Sequence, residues 1–250
     1  MDRASETKLT PFAWFKENLL SFFFALFLFF VIRSSVVEAF KIPSGSMIPT
    51  LMIGDHLLVN KFAYGLKIPF SEWVADHPVY WIKRLPPTRG DVIVFVYPKD
   101  ESLYYIKRVV GTPGDTVEVR SKILYLNGKP VDRHPLEKTA SEALFKSLGD
   151  QKYNSESLTI YREKLASSEH LMMTDRHSYL GENFPAVKIP PDHLFVMGDN
   201  RDFSNDSRFW GFVPYTHVKG KATFIWLSYW PQFSESRLTW HSERIGLSIH

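Results

Sequence analysis

A chain of 250 residues with 44% hydrophobic and 15% aromatic content has the composition of a folded protein, not a disordered one. Its formal charge of +3, with no long Lys/Arg block, argues against nucleic acid as a main partner. It has no cysteine, which removes disulfides, thiolate zinc sites and cysteine nucleophiles together without fixing the compartment. At this length the chain holds one large domain, or a domain with an inserted lobe.

Residues 1–17 read as a short polar tail with an aromatic patch, Phe12 to Phe15. Residues 18–32 are uncharged and consist almost wholly of Phe, Leu, Ala, Val and Ile. As a helix, these roughly 15 residues span ~22 Å against a bilayer core of about 30 Å. Arg33 can snorkel, and Ser34 to Val37 can continue the helix, to close the deficit. A buried core helix and a cleaved signal peptide are the alternatives. Phenylalanine on every face argues against the first, and the exit Val31-Ile32-Arg33-Ser34-Ser35, with no Ala-x-Ala site, against the second. Residues 18–37 are therefore expected to form an uncleaved transmembrane anchor. Arg3, Lys8 and Lys16 precede it, while Arg33 and Lys41 follow, a slight bias toward a cytoplasmic N-terminus.

Beyond the anchor, short apolar bursts alternate with Pro, Gly and charges, the pattern of a mostly β chain. Residues 91–97 (DVIVFVY), stopped by Pro98, predict a buried strand. Residues 104–110 predict another. Val117 and Val119 alternate with Glu118 and Arg120, and residues 123–126 run into Asn127-Gly128, a two-residue hairpin signal. Residues 193–197 and 222–229 are further strand candidates. The stretch 132–191 is polar and irregular, with a short helix predicted over 137–148 and no chemistry motif. The expected organisation is a catalytic core of 38–120 and 190–250 with an inserted, non-catalytic lobe at 121–189. Near the C-terminus, Trp226, Tyr229, Trp230, Phe233 and Trp240 suit a lipid interface, or packing in the core.

Ser46 stands between Gly45 and Met47 just beyond the anchor, an arrangement that suggests an exposed nucleophile at a bilayer surface. A serine hydroxyl needs a base. Nine scattered histidines announce no Ser/His/Asp arrangement, although any triad would be spatial. Lys107 is the rival. On a strand it shares a face with Tyr105 and Val109, and such partial desolvation lowers an amine pKa. Moving it from ~10.4 to ~8 costs about 3 kcal/mol. The segment 198–208 is dense in Asp, Asn, Ser and Arg. It reads as a polar loop knit by its own turns; its spacing fails the calcium-loop pattern, with no glycine at the sixth position. The sharper reading pairs Asp206 with Arg208 and lets the Ser204 hydroxyl orient Lys107. No metal site or nucleotide fingerprint is present in the sequence, and no cofactor is expected.

Three segments carry a resemblance: P-S-G-S-M-x-P-T-L-x-x-G-D at 43–55, Y-I-K-R-V-x-G-x-P-G-D at 105–115 and G-D-N-R-x-x-S-x-D-S-R at 198–208. Together, in this order, they closely resemble the type I signal peptidases of bacteria, the membrane-bound leader peptidases. The resemblance spans about 36–115 and 191–230 with the anchor, and barely constrains the middle lobe. It implies a β-rich catalytic domain of coiled antiparallel sheets behind an N-terminal transmembrane helix. Ser46 would be the nucleophile, Lys107 the general base, and Ser204 the residue that positions Lys107. Ser44 would supply its hydroxyl to an oxyanion hole with the Ser46 N–H. Asp206 and Arg208 would form a structural ion pair. Phe40, Ile42, Leu51 and Ile106 would line small substrate pockets that admit alanine.

The implied partners are preproteins carrying signal peptides, bound as an added β-strand, and the phospholipid bilayer. The implied location is the bacterial inner membrane, with a single pass and the catalytic domain outside the cytoplasm. The chain departs from one well-known form of the family, which has two transmembrane helices and, in some relatives, a disulfide. Phe203 stands where an asparagine is common, with little effect expected. The competing readings are a Ser/Lys autoprotease of the self-cleaving repressor type and a catalytically idle, membrane-tethered binding domain.

Overall fold

The computed structural model describes residues 11–68, 71, 79–83, 85–148, 155–232 and 237–250. The first ten residues of the expected tail and Phe233 lie outside this set, as does the side chain of Trp230. The chain opens with an α-helix, Pro11–Ser35. The rings of Phe23, Phe24, Phe27 and Phe29 on it are all exposed. Among the described residues no helix is long and apolar enough to cross a membrane.

Every strand pair that follows is antiparallel. The main sheet has eight strands. Seven run in the order Val37–Lys41, Asp55–Asn60, Val218–Gln232, Val92–Val96, Tyr104–Gly111, His193–Met197 and Val213–Pro214, with Arg237–Trp240 paired to Val218–Gln232. The unbroken apolar run of Val92–Val96 follows from its central place. Val92 and Val94 pack with Leu51, Leu57 and Ile106 on one face, while Ile93 and Phe95 pack with Val109 and Val196 on the other. Side chains alternate across a strand, so a strand covered on both sides can spare no position for a polar residue.

The Asn127-Gly128 signal makes the expected turn. Both residues have positive φ, 52° and 78°, and they join Ile123–Leu126 to Lys129–Pro130. Ile123–Leu126 also pairs with Thr116–Arg120, with Arg120 opposite Ile123. The boundary expected at residue 121 thus falls at the tip of one hairpin.

The stretch 132–191 is far more regular than its sequence suggests. It contains the predicted helix, as Lys138–Leu148, and a three-stranded sheet of Arg133–Pro135, Leu158–Leu165 and Ser168–Asp175. The two longer strands escaped sequence reading because polar residues occupy buried positions. Glu163 is wholly buried between Ile160 and Leu165, and His170 is buried opposite it. This sheet is tied to the core. Ile48, two residues past Ser46, packs with Phe145, Leu158, Ile160 and Met173. Of the C-terminal aromatics, Tyr229 stacks on His56 at 4.9 Å, while Trp226 and Trp240 remain exposed.

Glu163 meets the guanidinium of Arg201 with both oxygens and lies 3.2 Å from His170 Nε2. Burial alone would raise its pKa; Arg201 and His170 override that and hold the carboxyl below its ordinary range. A depressed carboxyl contributes stability above its unfolded pKa of about 4.3 and loses it as pH falls below that value. Removing one partner of a buried pair costs about 3–5 kcal/mol. Glu163→Gln is therefore expected to lower Tm at pH 7 by roughly 6–20 °C. The gap from the parent should narrow on acidification. Thermal melts followed by circular dichroism in steps from pH 7 to pH 2 check both, since the loss runs from the unfolded pKa down through the lower folded one, and a pH-independent gap would sink the electrostatic account.

Candidate active site

The chain leaves the edge strand Val37–Lys41 and makes a closed loop. Ile42 N–H donates to Asp55 O at 2.8 Å, and Gly54 N–H donates back to Ile42 O at 2.9 Å. Gly54 adopts φ +91°, which only glycine takes without strain. Met47 and Leu51, both fully buried, anchor the loop from inside. The Asp55 carboxylate ties it to the rest of the protein, accepting from Met52 N–H, the Ser228 hydroxyl and the Arg244 guanidinium. Ser46 sits at the crown of this loop and is 8% exposed.

Lys107 lies on the central strand Tyr104–Gly111 and is 4% exposed. Its Nζ is 2.6 Å from Ser46 Oγ and donates to Ile106 O at 2.9 Å. Tyr105, on the same face, presents its ring 5.4 Å from the amine. Burial moves the amine down to about pKa 8, and the Asp206 and Asp199 carboxylates oppose that shift. Two groups 61 positions apart are thus brought into contact. None of the histidines has a bond to Ser46 among the described residues.

The third segment arrives because the strand His193–Met197 pairs with Tyr104–Gly111, setting Met197 opposite Arg108. At its exit, Gly198 is pressed against the Ser46 carbonyl and the Ser204 hydroxyl so closely that a Cβ would collide with both. Asp206 caps the short helix Ser207–Trp210 and pairs with Arg208, Nε to Oδ1 at 2.8 Å, while its second oxygen accepts from Gly198 N–H at 3.0 Å. The expected ion pair is therefore present. Ser204 is buried beside Gly198, yet its hydroxyl has no hydrogen-bond partner among the described residues. The expected bond to Lys107 is not made. Ser44 Oγ stands 3.5 Å from Ser46 Oγ. Phe203 is half exposed at the rim.

Phe40, Ile42, Leu51 and Ile106 come together in one apolar cluster. Leu51 and Ile42 are buried, at 0% and 2% exposure, and Phe40 is partly exposed against the ring of Tyr104, 5.8 Å away. Ile106 and Phe40 thus stand nearest the surface, with the other two behind them.

Several site residues had no role in the sequence reading. Arg108, wholly buried, holds Asp199 with two bonds of 2.8 and 2.7 Å, and Thr50 adds a third to the same carboxylate at 2.6 Å. This pair links the second and third segments directly behind Lys107. Asn200 donates its backbone N–H to Ser46 O at 3.1 Å and its Nδ2 to Gly45 O at 3.0 Å. The only sequence signal for Arg108, Asp199 and Asn200 was their place inside the segments, since a charge or an amide on a strand or turn reads equally well as a solvated group.

The arrangement is that of an alcohol and a buried amine poised for proton exchange, beside an apolar cluster and an open sheet edge. Residues 15–229 match the family model described as signal peptidase, peptidase S26. Among curated relatives, a signal peptidase I of Pseudomonas aeruginosa is 44% identical over 94% of this chain and 81% of its own length. One from Pseudomonas fluorescens is 44% identical over 93% of this chain and 80% of its own length. A crystal structure of a signal peptidase I from Enterococcus faecalis V583 shares 28% identity, covering 55% of this chain and 97% of that one, with a TM-score of 0.32, too loose a superposition to support geometric argument. The chain belongs to the signal peptidase family, peptidase S26.

Proposed function

We propose that this chain is a signal peptidase I, a membrane-anchored serine endopeptidase that removes signal peptides from exported preproteins after a small-x-small motif. The reading rests on one contact, the 2.6 Å between the Lys107 amine and the Ser46 hydroxyl in a buried setting. Neither self-cleavage nor an idle binding domain is favoured by any relative.

In this scheme neutral Lys107 accepts the Ser46 proton as Oγ attacks the scissile carbonyl carbon. The carbonyl oxygen becomes an oxyanion, stabilised by the Ser46 N–H and the Ser44 hydroxyl. Protonated Lys107 then gives its proton to the leaving amine, the C–N bond breaks, and an ester remains on Ser46. Water, deprotonated by Lys107, attacks the ester and restores the hydroxyl. The amine needs no histidine, because burial already brings its pKa to about 8. Asp206 and Arg208 brace the loop, and Ser204, buried beside Gly198, would be recruited to orient Lys107 when substrate closes the site.

The preprotein would add as a strand along Val37–Lys41. That strand pairs only with Asp55–Asn60 among the described residues and leads directly into the Ser46 loop. The apolar cluster of Phe40, Ile42, Leu51 and Ile106 fills most of the space beneath, which suits alanine and excludes bulk.

The helix Pro11–Ser35 is proposed as the anchor. Its 25 residues give about 37 Å, although the uncharged part, 18–32, is shorter than the hydrocarbon core. Lys16 and Arg33 at its ends can snorkel to the two interfaces. Exposed phenylalanines along the helix suit a lipid surround better than water. The catalytic domain would then face away from the cytoplasm of a bacterial inner membrane.

The detergent-solubilised protein, incubated with a preprotein, is expected to cut just after a small-x-small tripeptide, as read by mass spectrometry of the products. Ser46→Ala and Lys107→Ala should each lower that turnover by at least 10³-fold; appreciable residual turnover in either would reject the dyad. Because the reactive amine must be neutral, kcat/KM should rise about tenfold per pH unit below 8 and level off above it. A profile flat from pH 5 to 8 would contradict a lysine base. Carbonate washing of membranes that contain the chain should leave it in the pellet, and release into the supernatant would remove the anchor from the proposal.

A further inference from the structure

We propose that Asn200 is a positioning residue of the oxyanion hole, whose side-chain amide fixes the peptide joining Gly45 to Ser46 and so aims the Ser46 N–H into the cleft. This inference rests on the reading of Ser46 as nucleophile. Asn200 is wholly buried and grips two successive carbonyls of the loop: its N–H takes Ser46 O, and its Nδ2 takes Gly45 O. Gly45 O also receives the Ile48 N–H at 3.2 Å. A trans peptide is planar, and its C=O and N–H point in opposite directions. Holding Gly45 C=O inward, on Asn200 and Ile48, therefore turns the Ser46 N–H outward. None of the backbone hydrogen bonds of the loop uses that N–H. The bond to Ser46 O fixes the following peptide as well, so both planes that flank Ser46 are immobile. A donor that need not reorganise is what an oxyanion hole requires.

The orientation of the amide follows from its partner. A carbonyl oxygen only accepts, so the nitrogen must face Gly45. That leaves Asn200 Oδ1 buried with no partner among the described residues. An unpaired buried acceptor is destabilising, a penalty that a leucine, with the same branching and no polar atom, would not carry. The asparagine is explained by what its nitrogen does. Its backbone has a firm base, since Asn200 forms a bridge with Met173, the Met173 N–H donates to Asp199 O at 2.8 Å, and Asn200 O accepts from Phe203 N–H at 3.1 Å.

Asn200→Leu, which keeps the branched shape, and Asn200→Ala both remove the donor without adding a charge near Lys107, and are to be compared with the parent on one preprotein. The expected result is a 10- to 100-fold loss of kcat with KM within threefold. The pH inflection near 8 should stay in place, because Lys107 is untouched. A peptide aldehyde, which forms a tetrahedral adduct on serine, should lose affinity in step with kcat. The leucine variant should melt at or above the parent, an outcome that a merely structural role would not give. Unchanged kcat in a folded variant overturns the proposal, as does a loss accompanied by a lower Tm in the leucine variant or by a displaced inflection. If the leucine variant does not fold, the alanine variant is judged by kcat, KM and the inflection, its cavity alone being expected to lower Tm. A parent that cleaves nothing would sink the reading of the site and this inference with it; a parent matched by its variants sinks only this inference.

Discussion

An amine taken out of water either keeps its charge at a high cost or gives up its proton. Lys107 is brought to about pKa 8, a shift worth roughly 3 kcal/mol. The fold supports that shift because the lysine stands on a central strand, covered by the Ser46 loop on one side and by the 198–208 segment on the other. Asp206 and Asp199 lie close enough to oppose the shift, but each is engaged elsewhere, by Arg208 and Arg108. Their neutralisation by those partners is what lets desolvation prevail. A carboxylate with no guanidinium of its own at either place would return the proton to Lys107 and disarm it.

The same logic explains why three separate segments are needed. The Ser46 loop is a closed unit pinned by Asp55 and Arg244. The lysine strand is fixed by its neighbours in the sheet. The 198–208 segment then joins the two, through the Arg108/Asp199 pair behind the amine and through Asn200 in front of it. Gly198 allows the approach because any side chain there would meet the Ser46 carbonyl. The buried polar groups are thus mostly paired, as a low-dielectric interior demands. Ser204 is an exception, its hydroxyl having no hydrogen-bond partner among the described residues.

The middle segment takes part in this construction. Its strand Ser168–Asp175 bridges to Asn200, its Glu163 holds Arg201, and its apolar side packs on Ile48. An insertion in sequence is a buttress in space. The hairpin that begins it shares a register with the core strand Thr116–Arg120, so the two cannot move independently.

The strands of the core were legible in the chain because a doubly covered strand must be apolar at every position, and Val92–Val96 is. The Asn127-Gly128 turn was legible because few residues tolerate positive φ. Ser46, Lys107 and the Asp206/Arg208 pair were legible as types of residue in recognisable segments. Leu158–Leu165 and its partner strand were not, since charged groups at buried positions look like solvent-facing ones until their counter-ions are known. Nor were Arg108, Asp199 and Asn200, whose worth depends on partners 91 or 155 positions away. The linear order of residues determined which functional groups were available and where the backbone had to turn. Tertiary structure alone decided which of them would be dehydrated, paired or left facing a cleft, because desolvation and hydrogen bonding depend on distances that the chain acquires only on folding.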